Sequence, residues 1–174
     1  SKEKLEKTLK LLFDEKVGAS VTIIKDSNWK DEELKSLDTI ATRYGHRLIL
    51  RTTPYVSREN EDFKELSAKG FFVLSKNSEV YLERIEGKAQ AFIDLTNPKA
   101  VKYYQEKLSK ALKWRKIMGF LAECKYPFPL NCLSSLNTEE LRANWITTYQ
   151  KIVREVIDEK QDGVLLLRGV NSHS

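Results

Sequence analysis

The sequence predicts an α/β fold with about four parallel core strands, and three observations carry that expectation. Short β-branched or apolar runs alternate along the chain with amphipathic helical stretches. The segment AFIDLTNPKAVKYYQEKLSKALKWRKIMGFLAE, Ala91–Glu123, reads as strand, helix start, helix and strand, which is a complete βαβ unit. Near the end, Val164–Leu167 (VLLL) is continuously apolar, as strands of a covered parallel sheet are.

Taken in order, Lys2–Lys16 is expected to be helical, with Leu5, Leu9, Leu12 and Phe13 forming an apolar stripe and Gly18 a stop. Val21–Ile24 is β-branched and runs into Asp26, Ser27, Asn28 and Trp29, a polar turn carrying one exposed aromatic. Leu34, Leu37, Ile40 and Tyr44 mark a second helix, closed by Gly45, with His46 exposed at its end. Arg47–Arg51 is the next strand, terminated by Thr53-Pro54-Tyr55 because proline cannot donate to a ladder. Asn60–Lys69 is a short helix stopped by Gly70.

Between residues 71 and 94 the pattern changes. Phe71–Leu74, Val80–Glu83 and Ala91–Asp94 are short runs separated by turn residues, so this stretch reads as a small β-meander insert. Asn97 then supplies a capping oxygen and Pro98 a preset φ for the next helix. On that helix Val101, Tyr104, Leu108 and Ala111 share one face, and Asp94 helps set up its start. Ile117–Ala122 is a strand that delivers Glu123 to its carboxyl end, where open α/β sheets and barrels place ligands. An irregular loop follows, CKYPFPLNCLSSLN, and Asn137 and Glu140 open a long helix with Trp145 and Tyr149 in the core. Gly163–Leu167 is a final buried strand, which brings Arg168 to the same end of the sheet as Glu123.

The order is that of a (β/α) barrel, but four strands are half of the closed eight. The whole of 1–174 therefore reads as a single domain, a partial TIM-type barrel, with 71–94 inserted. An open half-barrel exposes two sheet edges and an apolar inner face, so it calls for self-association, the missing barrel half or a flattened doubly wound arrangement.

Composition narrows the partners. A hydrophobic fraction of 41% and a charged fraction of 32% describe a soluble globular domain, and 30 basic against 25 acidic residues leave +5. Lysines alternate with glutamates, as in SKEKLEK, and no basic and aromatic residues interleave on one element, so nucleic acid is not an expected partner. No apolar run approaches membrane-spanning length and no signal peptide opens the chain. Cys124 and Cys132 either close a small disulfide or stay reduced; with two histidines they make no zinc pattern, and no metal or cofactor is expected.

The ordered set Asp26-Ser27-Asn28-Trp29, Thr53-Pro54-Tyr55-Val56, Phe92-Ile93-Asp94-Leu95-Thr96-Asn97-Pro98, Gly119-Phe120-Leu121-Ala122-Glu123 and Leu167-Arg168-Gly169 resembles glycoside hydrolase family 31, the α-glucosidase, α-galactosidase and sulfoquinovosidase type of barrel. The resemblance covers nearly the whole chain but only the second to fifth strands of that family's barrel, which makes the chain a central barrel segment. It implies a carbohydrate ligand and a lumenal or extracellular setting. Glu123 takes the place of the nucleophilic aspartate, Asp26 that of an aspartate binding sugar hydroxyls, Trp29 that of a nearby aromatic and Arg168 that of a substrate-contacting arginine. Arg51 stands where many members line the sugar pocket with tryptophan, and so joins the substrate-binding set. The chemistry needs a carboxylate to attack the anomeric carbon and donors to hold the ring oxygens.

This chain departs from the pattern at telling places. Glu123 is one methylene longer than aspartate, and a misplacement of about 1 Å costs on the order of a hundredfold in rate. Cys124, Lys125 and Tyr126 replace the glycine and glutamate that follow the family's nucleophile. The acid/base aspartate lies beyond the fifth strand, after the last residue, Ser174. The leading expectation is a catalytically impaired carbohydrate-binding or interaction module. The alternative is part of an active retaining α-glycosidase with Glu123 as nucleophile, and the plainest reading keeps Asp26, Trp29 and Arg168 as a turn acid, a packing aromatic and a surface arginine.

Overall fold

The computed structural model describes residues 2–25, 29–124, 132–133 and 138–169. Its elements run α1 Lys2–Asp14, β1 Val21–Ile24, α2 Asp31–Arg43, β2 Arg47–Thr52, β3 Tyr55–Ser57, α3 Phe63–Ala68 and β4 Leu74–Ser75. They continue with β5 Leu82–Ile85, β6 Lys88–Phe92, α4 Pro98–Leu112, β7 Ile117–Cys124, β8 Cys132–Leu133, α5 Thr138–Asp158 and β9 Val164–Gly169. The chain divides into two compact units. One comprises the chain through Thr52 with Lys107–Glu123 and Val153–Arg168; the other comprises Thr53–Glu106 and Cys124–Ile152.

The first unit is built on a four-stranded parallel sheet in the order β1-β2-β7-β9, a partial TIM-type barrel as the strand and helix alternation predicts. β1 pairs with β2 from Val21↔Arg47 to Ile24↔Leu50, and β2 pairs with β7 through Ile49↔Gly119, Arg51↔Leu121 and Thr52↔Ala122. One face of the central strands is fully covered, with Leu48, Leu50, Phe120 and Ala122 all at 0% exposure. Helix α1 joins that layer through Leu5 and Leu9, which pack with Ile40 of α2. Phe13, at 60%, stays outside the expected stripe.

Two devices set the position of β7. The Lys160 ammonium donates to the carbonyls of Leu112 and Ile117, each at 2.7 Å, and so ties the end of α4 to the start of the strand. Burial lowers the Lys160 pKa, and the nearby Asp38 carboxylate opposes that shift. The Asp38 Oδ1 also accepts from the Lys116 backbone N–H at 2.6 Å. At Gly119 a Cβ would lie 1.8 Å from the Val164 carbonyl oxygen, so only glycine admits β9 this closely.

Three expectations are corrected in this unit. His46 is buried, 4% exposed, because Gly45 at φ 68° turns the chain directly into β2; its Nδ1 lies 3.0 Å from the Tyr44 carbonyl. Trp29 is likewise buried and stacks on Phe120 at 6.0 Å between ring centroids. The last strand is not a buried one: Leu166 and Leu167 of β9 are 37% and 56% exposed, since β9 is terminal in the sheet order among the described residues.

The second unit holds a three-stranded antiparallel sheet, β3-β6-β5. β5 and β6 form a hairpin whose turn residues Glu86 and Gly87 both have positive φ, 51° and 81°, as a tight two-residue turn requires. The meander is shifted from its expected boundaries. Phe72 makes only an isolated bridge to Ile93, β4 pairs with β8, and β6 begins at Lys88 rather than Ala91. Phe92 anchors an aromatic cluster with Tyr55, Tyr81 and Trp145, and Trp145 and Tyr149 are core as expected. At the start of α4 the Asn97 Oδ1 accepts from the Lys99 N–H at 3.0 Å, and the Asp94 Oδ1 accepts from both the N–H and the hydroxyl of Thr96. Asn97 is thus the cap and Asp94 organises the turn before it.

Candidate functional site

Arg51, Glu123 and Arg168 are each the penultimate residue of their strands, β2, β7 and β9. The sheet order places β7 between the other two, so the carboxylate lies on the middle strand with one arginine on either side. Register makes the same point for β2: Arg51 aligns with Leu121, and Glu123, two residues on, presents its side chain to the same face. The three side chains meet at the carboxyl ends of the strands, where a parallel sheet collects its polar groups.

Glu123 is 3% exposed. Its Oε2 lies 2.7 Å from the Arg51 Nε and its Oε1 lies 3.3 Å from an Arg168 Nη. A buried carboxylate stays charged only where donors replace water, and two guanidinium groups do so here. Arg51 makes a further link, its Nη1 donating to the Lys25 carbonyl at 3.3 Å, which ties the end of β1 to the same cluster. The two arginines differ in setting: the Arg51 side chain is 17% exposed and that of Arg168 is 66% exposed.

The other sequence candidates are distributed differently. Trp29 contacts Phe120, which lies an odd number of residues from Glu123 and so faces the opposite side of β7. Trp29 lines a groove of about 720 Å³ formed by α1, β1 and α2, whose walls include Leu5, Ile24, Glu33 and Leu37 but none of Arg51, Glu123 and Arg168. Asp26, Lys125 and Tyr126 lie outside the described residues. Cys124 is buried with its Sγ 3.2 Å from the Tyr55 hydroxyl, and the side chain of Cys132 lies outside the described residues. Among the described residues no group of three or more His, Cys, Asp or Glu side chains is arranged to hold a metal ion, and no helix is long and apolar enough to cross a membrane.

The Lys25 link was not read from the sequence, because a main-chain acceptor leaves no residue-type signal. The pairing of Arg51 with Glu123 was also missed. Its signal was available in principle: two strand-terminal residues of opposite charge at matching parity.

With this geometry in view, the similarities to known proteins are coherent. The model of the glycosyl hydrolases family 31 TIM-barrel domain matches residues 13–166. An α-xylosidase of Lactiplantibacillus pentosus is 26% identical over 120 residues, covering 67% of this chain and 16% of its own length. Among solved structures, a xylosidase from Aspergillus niger superposes with a TM-score of 0.77 at 14% identity, over 98% of this chain and 30% of that one. A family 31 sulfoquinovosidase from E. rectale, solved with an aza-sugar inhibitor, gives 0.69 at 22% identity, over 84% of this chain and 24% of that one. The chain thus spans under a third of the length of each of these relatives. A parallel four-stranded sheet with a carboxylate at the tip of its third strand, matched by the family model over most of its residues, makes this chain a member of the glycosyl hydrolases family 31 TIM-barrel domain family.

Proposed function

We propose that this barrel segment is a carbohydrate-binding or interaction module that has lost hydrolysis. The observation that carries the reading is the ion pairing of Glu123, whose two oxygens each face a guanidinium group, one at 2.7 Å. A nucleophilic carboxylate must offer an oxygen lone pair to the anomeric carbon. Here the lone pairs are directed at arginines, and moving the carboxylate to a sugar would leave buried guanidinium charge behind. In this reading Asp26, Arg51 and Arg168 are the substrate-binding set, Glu123 keeps the arginines in place, and Trp29, stacked on Phe120, packs on the other face of the sheet.

The test is a pair of measurements on the same preparation. Calorimetric titration with monosaccharides is expected to give weak binding, with Kd on the order of 1 mM, while aryl α-glycosides are not turned over. Absence of any sugar binding removes the carbohydrate part of the reading.

A second reading, part of an active retaining α-glycosidase, is favoured by the α-xylosidase similarity and by Glu123 at a strand's carboxyl end, where barrel enzymes hold their chemistry. Turnover of an aryl α-glycoside by a longer version, abolished by Glu123→Gln, would decide for it.

A further inference from the structure

We propose that two copies of this chain close one barrel, with β9 of each pairing in parallel with β1 of the other. The inference does not depend on whether the rim takes a sugar. It starts from the sheet order β1-β2-β7-β9, four parallel strands in chain order, which is half of a closed eight. The sheet is that of a TIM-barrel domain, so its curvature already suits the closed form. A two-fold axis laid along the barrel preserves strand direction, and the partner's four strands then continue the same parallel sheet. The two junctions are identical, and no sheet edge remains.

The terminal strands, the inner face of the sheet and α1 each fit that closure. Val21–Ile24 (VTII) and Val164–Leu167 (VLLL) contain no charged residue and no proline, whereas strands that stay at an edge are blunted by lysine, proline or a bulge. Val21 and Ile23 of β1 and Leu166 and Leu167 of β9 are instead exposed and apolar. Register puts Val21 and Ile23 on the sheet face that also holds Ile49 and Leu121. A closed barrel fills its interior with layers of four side chains drawn from alternate strands, so one copy supplies half of each layer and a second copy the other half. In a βαβ crossover the helix packs over both strands it joins. Helix α1 leads into β1 and has no strand before it among the described residues. Its Leu5 and Leu9 pack with Ile40, while Leu11 and Phe13 are exposed and available to cover a strand docked beside β1. With all eight strands running one way, each copy delivers its own Glu123 to the same rim.

The experiment is sedimentation equilibrium of the whole chain, with amide hydrogen exchange on the same samples. The expected species has twice the 20.2 kDa of one chain, with nothing larger. Its Kd is expected to be on the order of 1 µM. Exchange is expected to slow at 21–24 and at 164–167 together as the dimer forms. Val21→Lys and Leu167→Lys should each weaken association at least about tenfold, because closure would bury an unpaired ammonium. Leu74→Lys, at an exposed leucine of the other compact unit, is the control and leaves association unchanged. Circular dichroism checks that each variant folds, and the exchange pattern of the unaltered chain decides the matter should one of them not. A monomer at concentrations up to about 100 µM overturns the proposal and leaves the edges to another occupant. Growth beyond two chains overturns it as well, because open-ended pairing is not closure. Protection at one edge alone means β1 on β1 or β9 on β9, which also overturns it.

Discussion

Arg51 Nε lies 2.7 Å from Glu123 Oε2, joining the carboxyl ends of two adjacent parallel strands. Removing the guanidinium leaves a carboxylate that is 3% exposed without its nearest cation. Arg51→Met is therefore expected to destabilise the chain by about 3 kcal/mol. Arg51→Met combined with Glu123→Leu is expected to recover most of that loss, because paired apolar replacements need no desolvated charge. Urea unfolding of the two single variants and the double variant gives the coupling. Additive losses would mean that the pair is incidental.

Gly119 carries a different kind of constraint. A methyl group there would sit 1.8 Å from the Val164 backbone oxygen, and backbone cannot yield as a flexible side chain would. Gly119→Ala should cost about 4 kcal/mol or more and separate β9 from β7. Amide hydrogen exchange is the appropriate readout: protection along 164–168 is lost first, while that of β1 and β2 persists.

The cap of α4 should show a smaller, local effect. Asn97 accepts from the Lys99 N–H and its side-chain amide donates to the Gly70 carbonyl at 3.1 Å. Asn97→Ala is expected to cost about 1 kcal/mol, and Asn97→Asp to recover the capping part alone. Thermal unfolding monitored by circular dichroism resolves both.

Alkaline pH should weaken the fold through Tyr103. Burial, and then the negative charges of Asp62 and Glu65, push its phenol up to about 12 from an ordinary 10. The unfolded chain releases this proton from pH 10 upward while the folded chain holds it until about 12. Stability present below pH 10 is therefore lost as pH rises through that window. Because the ring is only half buried, the loss is expected to be on the order of 1 kcal/mol after allowance for solvent screening. Ultraviolet titration should show a late-ionising phenol step that Tyr103→Phe removes.

Much of the architecture could be read before any coordinates. Val21–Ile24 was bounded correctly because a β-branched run ended in turn residues, and the cap at Asn97 followed from residue chemistry alone. What escaped depended on contacts between distant parts of the chain. Strand β3 is three residues long and owes its existence to β6, some 35 positions later, as local pattern could not show. Trp29 and His46 looked exposed because each adjoins polar or glycine residues, yet packing from Phe120 and the turn at Gly45 encloses them. At the site, sequence reading brought Glu123 and Arg168 to one end of the sheet. It did not bring Arg51 onto Glu123, which requires knowing that β2 and β7 are neighbours.

Val21 and Ile23, both 42% exposed, lie on β1, the outermost strand of its sheet among the described residues. Such a border of apolar side chains and open main-chain groups is a template for intruding strands. Colloidal behaviour, more than thermodynamic folding, will then govern how concentrated this segment can be held by itself. A lysine gatekeeper at Val21 is the least invasive remedy, since it blunts the border while leaving the arginine-clamped carboxylate untouched.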